Sequence, residues 1–534
     1  MNNRELAGSF VPLTRGEPPV RLKLHISVNV PNRNCRNIPR LIRSLVLSSL
    51  AVAGFVTLAR AEVAVPDPGL NAAIREALQK PNGPLTDQDL LSLTTLNADS
   101  RNISNLQGLE AARNLSALDL RSNHLASLSF PGELTNLIFL DLSSNALSQF
   151  SLPSGLTKLA TLIVADNRLT DFDLPADLAG LSDLDIENNL LTSFTLPPQL
   201  TNLVFLGLGF NRLTNCTLPN GLARLETLFI EGNGLPNLTL PPGMTGLFDL
   251  ELWVNGLTRL SLPADMTNLA VVSLFFNQLT NLTVPPELEK IVTLDLEGNK
   301  FTRFNVSSNL TRLAFLNLRS NQLTNLVLPE NITSLNFVDL SENQLPNLTL
   351  PSSPGLSFLQ LSDNQLTSLT LPAGMTNLPA IFLQSNQLTN LTLSAGMTNL
   401  VQLDLRDNQL TKLTLPPDLT RLSALELDGN PLDTLVISEP MAAGRLAGLV
   451  ASFRNEGVAV FTFLLDLRLA LPGRTLAGAF EFTLTGPPGV YAVLVSSDLA
   501  AWNQFGSVTN ELGSAVFTDA TASPQNFYRA RSLP

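Results

Sequence analysis

The sequence predicts a β-rich α/β solenoid of about fifteen 22-residue coils carrying parallel strands. A helical N-terminal cap should precede it and a small C-terminal β module should follow. Three observations predict this. Asn recurs at a fixed spacing of 22, at Asn123, Asn145, Asn167, Asn189, Asn211, Asn233, Asn255, Asn277, Asn299, Asn321 and Asn343; one step of 21 leads to Asn364, and Asn386, Asn408 and Asn430 resume the period. Before each Asn, two Leu-like residues alternate with variable ones, as in Leu140-Asp141-Leu142, the pattern of a short strand burying alternate side chains. At both ends of the periodic region the pattern fails and composition changes. Repeats that bury their apolar faces only against neighbours need such closing segments.

Residues 1–61 read as a signal peptide with an extended n-region. Arg36, Arg40 and Arg43 precede the uncharged 14-residue stretch Leu45–Leu58, and Ala59-Arg60-Ala61 forms a small-x-small cleavage site. Fourteen residues is short for a bilayer span. The expectation is a secreted or cell-surface protein with no membrane insertion after cleavage.

Residues 62–95 read as a helical N-terminal cap. Asp67 can cap a helix that has Pro68 at its first position, and Leu70, Ile74 and Leu78 then share one face. A second short helix is expected from Thr86, carrying Leu90, Leu91 and Leu93. A degenerate first coil follows, with Arg101 where Asn would stand. The run Leu85-Thr86-x-x-Asp89-Leu90-x-x-Leu93-Thr94-x-Leu96 resembles the cap of internalin-like bacterial surface proteins.

Residues 96–437 form the periodic solenoid. Around each Asn the sequence follows L-x-x-L-x-L-x-x-N-x-L, as in Leu400 to Asn408. This resembles the leucine-rich repeat family over about 340 residues. The resemblance implies an arc with its parallel strands on the concave face and the Asn residues stacked as a structural ladder. At ~4.8 Å per strand, fifteen coils span roughly 70 Å. The second half of each unit alternates apolar residues with Thr or Asn and often ends in Pro, as in Leu279 to Pro285. That favours extended chain over helix, so the convex side should hold short β or irregular segments. Cys216 falls five residues after Asn211, a slot held elsewhere by Leu128, Phe150, Leu260 or Leu435, and is expected to fill the core. Sequons such as those at Asn281 and Asn390 follow from the repeat template itself.

Residues 438–470 read as a C-terminal cap. Met441 to Asn455 is expected to be helical, with Leu446, Leu449, Val450 and Phe453 on one face, and Gly457 to Phe463 to be a strand. Residues 471–534 read as a small β-sandwich-like module whose runs at 480–484, 490–495 and 515–517 are separated by Gly/Pro turns. It resembles the β-rich C-terminal modules of secreted bacterial proteins.

Composition excludes much chemistry. The chain of 534 residues has two His and two Cys, too few for a nucleophile–His site or a multi-Cys metal site after cleavage. No cofactor or metal is expected. Formal net charge is −12. Residues 1–61 carry nine Lys/Arg and two Asp/Glu, so the rest holds 24 basic and 43 acidic residues. Such a chain repels nucleic acid, so a protein or glycan partner is the expectation.

Residues six, four and two before each Asn should project from the strand face. In the middle coils these include Phe205, Phe229, Glu231, Glu251, Trp253, Phe275, Glu297 and Phe315, with Phe210 and Phe276 directly before an Asn. Large aromatics stand where small polar residues would suffice, which marks Phe205, Phe229, Glu231, Glu251, Trp253, Phe275, Phe276, Glu297 and Phe315 as the candidate binding surface. The alternative is that these rings lean on neighbouring coils and only cover the sheet. The Asp residues at the middle strand position are expected to be solvated and structural. Asp249, Glu251, Asp295 and Glu297 share a face, but an open face should leave their pKa values unshifted, so no enzymatic activity is expected. The resulting reading is a non-enzymatic recognition or adhesion protein, with a passive envelope-associated protein as the alternative.

Overall fold

The computed structural model describes residues 62–521 and 525–533; the signal-peptide reading falls outside them. The chain starts with helix α1 (Pro68–Ala77) and the short helix α2 (Asp87–Leu90). Asp67 Oδ1 accepts from the Leu70 N–H at 3.0 Å, while its Oδ2 accepts from the N–H groups of Ser104 at 2.8 Å and Asn105 at 3.2 Å. One carboxylate therefore caps α1 and ties it to the first coil. Thr86 and Asp89 form a reciprocal capping box on α2, and Lys80 pairs with Asp89 at 2.6 Å.

The solenoid is a single parallel sheet of sixteen three-residue strands, running from Thr95–Asn97 to Ala424–Glu426. These are the fifteen Asn-bearing coils preceded by the degenerate one. Register advances by one repeat per strand, so Leu118 pairs with Leu140 and Leu140 with Leu162. The central residue of every strand is buried, and with the other repeat Leu residues it builds one continuous core from Val65 to Phe453. Removing one such Leu side chain costs about 2–5 kcal/mol.

Each ladder Asn meets the backbone of two coils. Asn167 Oδ1 accepts from the Leu147 N–H at 2.9 Å, and its Nδ2 donates to the carbonyls of Leu142, Val164 and Ala165 at 3.0–3.1 Å. The same pattern recurs from Asn123 to Asn430. The turn inside each coil leaves these groups buried, where an unmade hydrogen bond costs about 1–3 kcal/mol. A second set of Asn contacts was not legible in the sequence. Asn136, Asn202, Asn268 and Asn399, each in a Thr-Asn-Leu step before a strand, donate to the carbonyl 23 residues earlier.

The far side carries no α-helix between the two caps. Short parallel pairs form there instead, such as Ser193–Thr195 with Asn215–Thr217 and Ser368–Thr370 with Asn390–Thr392. Cys216 lies in the first pair, buried, with its thiol pushed up to about 12 by desolvation. It packs rather than reacts.

The strand Thr434–Ser438 leads into α3 (Glu439–Ala443) and α4 (Ala447–Glu456), and the strand Ala459–Phe463 returns parallel to it. The single helix expected over Met441 to Asn455 is thus two. Two three-stranded antiparallel sheets follow, and the first strand, Arg468–Arg474, begins ahead of the expected boundary at residue 471. The sheets face each other through aromatics: Phe480 stacks on Tyr528 at 5.0 Å, and Phe482 lies 5.4 Å from Tyr528. Lys412 pairs with Glu511 at 3.0 Å across to the last coils. Among the described residues, no helix is long and apolar enough to cross a membrane.

Candidate functional site

The residue directly before the ladder Asn takes positive φ in every coil. This tight turn favours Gly, Asn, Asp or Ser, and most coils carry one of these. Four coils do not: Glu342 stands there in a later coil, and in the middle coils Phe210, Val254 and Phe276 hold φ of 54°, 50° and 53°. Bulky and β-branched residues in this conformation cost about 1–2 kcal/mol each. Phe276 and Val254 are also exposed, at 45% and 38%. Strained, exposed apolar side chains do not serve the core.

These residues join Trp253 and Phe275. The Trp253 and Phe275 rings stack at 4.9 Å, Phe210 meets Trp253 edge-on at 5.4 Å, and Phe276 meets Phe275 edge-on at 5.6 Å. Phe210 reaches Trp253 by crossing the intervening coil, which supplies Gly232 at the turn. A Cβ on Gly232 would lie 2.7 Å from the Phe210 ring, and one on Gly298 would lie 2.3 Å from Phe276. Both glycines thus clear space for an aromatic from the preceding coil.

The expected surface is therefore divided. Phe205 and Phe229 form their own edge-on pair at 5.6 Å. Phe315 belongs to a third group, stacked on Phe337 at 4.3 Å, which stacks in turn on Phe358 at 4.4 Å. Those three occupy the first strand position of consecutive coils, and their faces cover one another. Phe210, absent from the expected surface, completes the Trp253 group. Its signal in the sequence was a Phe where the turn calls for Gly or Asn.

The acidic residues correct a second expectation. Desolvation pushes Asp249 up to about 6, Glu251 to about 8 and Asp295 to about 7, and it raises Asp185, Asp339 and Glu297 as well. The face is less open than its topology implies, because strands ~4.8 Å apart let large side chains lean over their neighbours. The charges of Asp249, Glu231 and Asp295 add to the rise at Glu251. Glu231 is only 6% exposed. Asp141, Asp339 and Asp404, expected to be solvated, are buried. Each accepts from the N–H two residues on, at 2.9 Å from Ser143, 2.9 Å from Ser341 and 3.1 Å from Arg406, so they finish strands. Glu297 accepts from Asn317 Nδ2 at 3.0 Å. Among the described residues no group of His, Cys, Asp and Glu is arranged to hold a metal ion.

Residues 208–315 and 314–426 match the family described as BspA type leucine rich repeat region. Comparison with curated protein sequences finds no match. Among solved structures, the functional domain of InlJ from Listeria monocytogenes is similar at 20% identity with a TM-score of 0.51, over 79% of this chain and 94% of that one. An internalin, InlF, from the same organism matches at 22% identity and a TM-score of 0.42, over 68% and 95%. YopM from Yersinia pestis matches at 26% and 0.45, over 68% and 88%. The InlJ likeness carries the fold alone. With the sixteen-stranded sheet, the Asn ladder and the family match, it makes the chain a leucine-rich repeat protein.

Proposed function

We propose that this is a non-enzymatic recognition or adhesion protein, secreted or displayed at a cell surface, that binds a partner through the strand face of its middle coils. The observation that carries the reading is the Trp253 group. Three turns within four consecutive coils hold Phe210, Val254 and Phe276 in a conformation that disfavours them, and two of these side chains are turned to solvent. Local strain at exposed apolar residues is the mark of a contact surface rather than of a core. Trp253, Phe275 and Phe276 form its centre, Phe205, Phe229 and Phe315 lie on its flanks, and Glu231, Glu251 and Glu297 supply its charge.

The ring geometry favours a protein over a glycan. Sugar rings bind by lying on aromatic faces, and here Trp253 and Phe275 stack on each other, as do Phe315, Phe337 and Phe358. Ring edges and short apolar side chains remain, which suit a peptide side chain. The Phe315–Phe337–Phe358 stack favours the sheet-covering role for those three residues, and the proposed site excludes all but its Phe315 end. The test is a screen of extracellular proteins and glycans against the chain and its W253A/F275A variant. A protein ligand lost in the variant supports the reading. Partners that bind both forms equally overturn it.

A further inference from the structure

We propose that the far side of the solenoid, away from the strand face, carries a binding surface for an acidic polysaccharide. This surface is separate from the Trp253 group, and the proposal goes beyond the recognition reading. In the eleven coils from Asn189 to Asn408, the eight residues after each ladder Asn include no Asp or Glu. The 43 acidic residues beyond residue 61 all lie outside this band. Its cations are Arg212, Arg259, Lys300, Arg303 and Lys412. Lys412 pairs with Glu511 at 3.0 Å. Among the described residues, Arg212, Arg259, Lys300 and Arg303 are exposed and make no ion pair.

The band presents its polar groups in order. In Asn215–Thr217 and Arg303–Asn305 the outer two residues are exposed and the central one is buried. Arg303 lies in register with Asn325 of the next coil. Arg259 and Arg303 hold the same place two coils apart, a spacing of about 10 Å, and Lys300 lies three residues before Arg303. Exposed Asn215, Asn237, Asn281 and Asn325 stand among these cations. Chemistry selects the occupant. The aromatics of the band, Phe194, Phe301 and Phe304, are buried, so no ring is offered to anchor a folded protein. Side-chain amides and Thr hydroxyls match sugar hydroxyls, and well-separated cations match carboxylates or sulfates carried on alternate sugars. A nucleic acid would bring a phosphate roughly every 3.4 Å along each strand, far more anions than the band has cations. Held on such a polymer by its far side, the protein keeps the strand face free.

The test titrates the full chain with hyaluronate, which is charged at every second sugar, and with alginate, neutral dextran, poly-glutamate and oligothymidylate. Hyaluronate or alginate is expected to bind, and to bind more weakly as salt rises; dextran is not. R259Q/R303Q should weaken that binding about tenfold without moving the Tm. R224Q, at an exposed arginine on the turn ahead of the strand Thr227–Phe229, should leave it unchanged. No binding of either acidic glycan, equal binding by R259Q/R303Q, or tighter binding of poly-glutamate or oligothymidylate overturns the proposal. The two surfaces are told apart by variant. An acidic polysaccharide kept by W253A/F275A and lost by R259Q/R303Q belongs to the far side and leaves the strand-face reading untouched.

Discussion

In the N-terminal cap, Asp67 and Asp89 are held below the usual carboxylate range; in the middle coils, Asp249, Glu251 and Asp295 are pushed above it. Burial alone would raise Asp67, but the N–H groups of Ser104, Leu70 and Asn105 overcome it. Asp89 is lowered to about 2, first by its hydrogen bond to Lys80 and then by Thr86. The middle carboxyls are raised by the same desolvation, with no cation to offset it. The cap uses carboxylates to join elements. The middle coils keep them where they oppose folding, which is the expected mark of groups held for a partner.

The largest effect expected is at the cap. D67A removes an N-cap from the buried Leu70 N–H and the charged acceptor that joins Ser104 and Asn105 to the cap, and it should cost about 3 kcal/mol, read by hydrogen exchange across α1 and the first coils. Neutral behaviour would erase the contrast from the cap side. In the middle coils, W253A/F275A should lower partner affinity by about 2 kcal/mol or more while changing stability less than D67A does. F337A should leave that affinity untouched, because its ring is spent on Phe315 and Phe358.

The pH dependence sharpens the comparison, and the two regions carry opposite signs. Folded Glu251 titrates near 8 and folded Asp295 near 7, against ordinary values of 4.5 and 3.8 for the unfolded chain. The folded state then holds extra protons, so their contribution is full below those ordinary values and is lost as pH rises through about 7–8. E251Q should therefore stabilise the protein at pH 8, by about 1–2 kcal/mol, and flatten the melting profile between pH 5 and 8. Asp89 runs the other way. Its contribution is present above 3.8 and is lost as pH falls toward 2. The smallest effect expected is V254N, which relieves the turn and should add about 1 kcal/mol, seen as a higher Tm.

The fold was legible because its signal repeats. Each ladder Asn and each alternating Leu answers the same burial and backbone demands in every coil, so the spacing alone carries them. The extended far side followed from Thr, Asn and Pro, which oppose helix. The site was legible only as a list. Which rings meet depends on where neighbouring coils place glycine and on strand position: Gly232 lets Phe210 reach Trp253, while Phe315, at the first position of its strand, stacks on Phe337 instead. The raised carboxyls escaped for the same reason. Desolvation comes from side chains of adjacent coils, and one coil's sequence does not state how its neighbours lean.

The most direct measurement is quenching of Trp253 emission in the W502F chain by caesium and by iodide. An accessible aromatic patch rimmed by carboxyl groups predicts red-shifted emission that caesium quenches well and iodide poorly. Blue-shifted emission reached by neither ion would make Trp253 a packing residue and contradict the recognition surface.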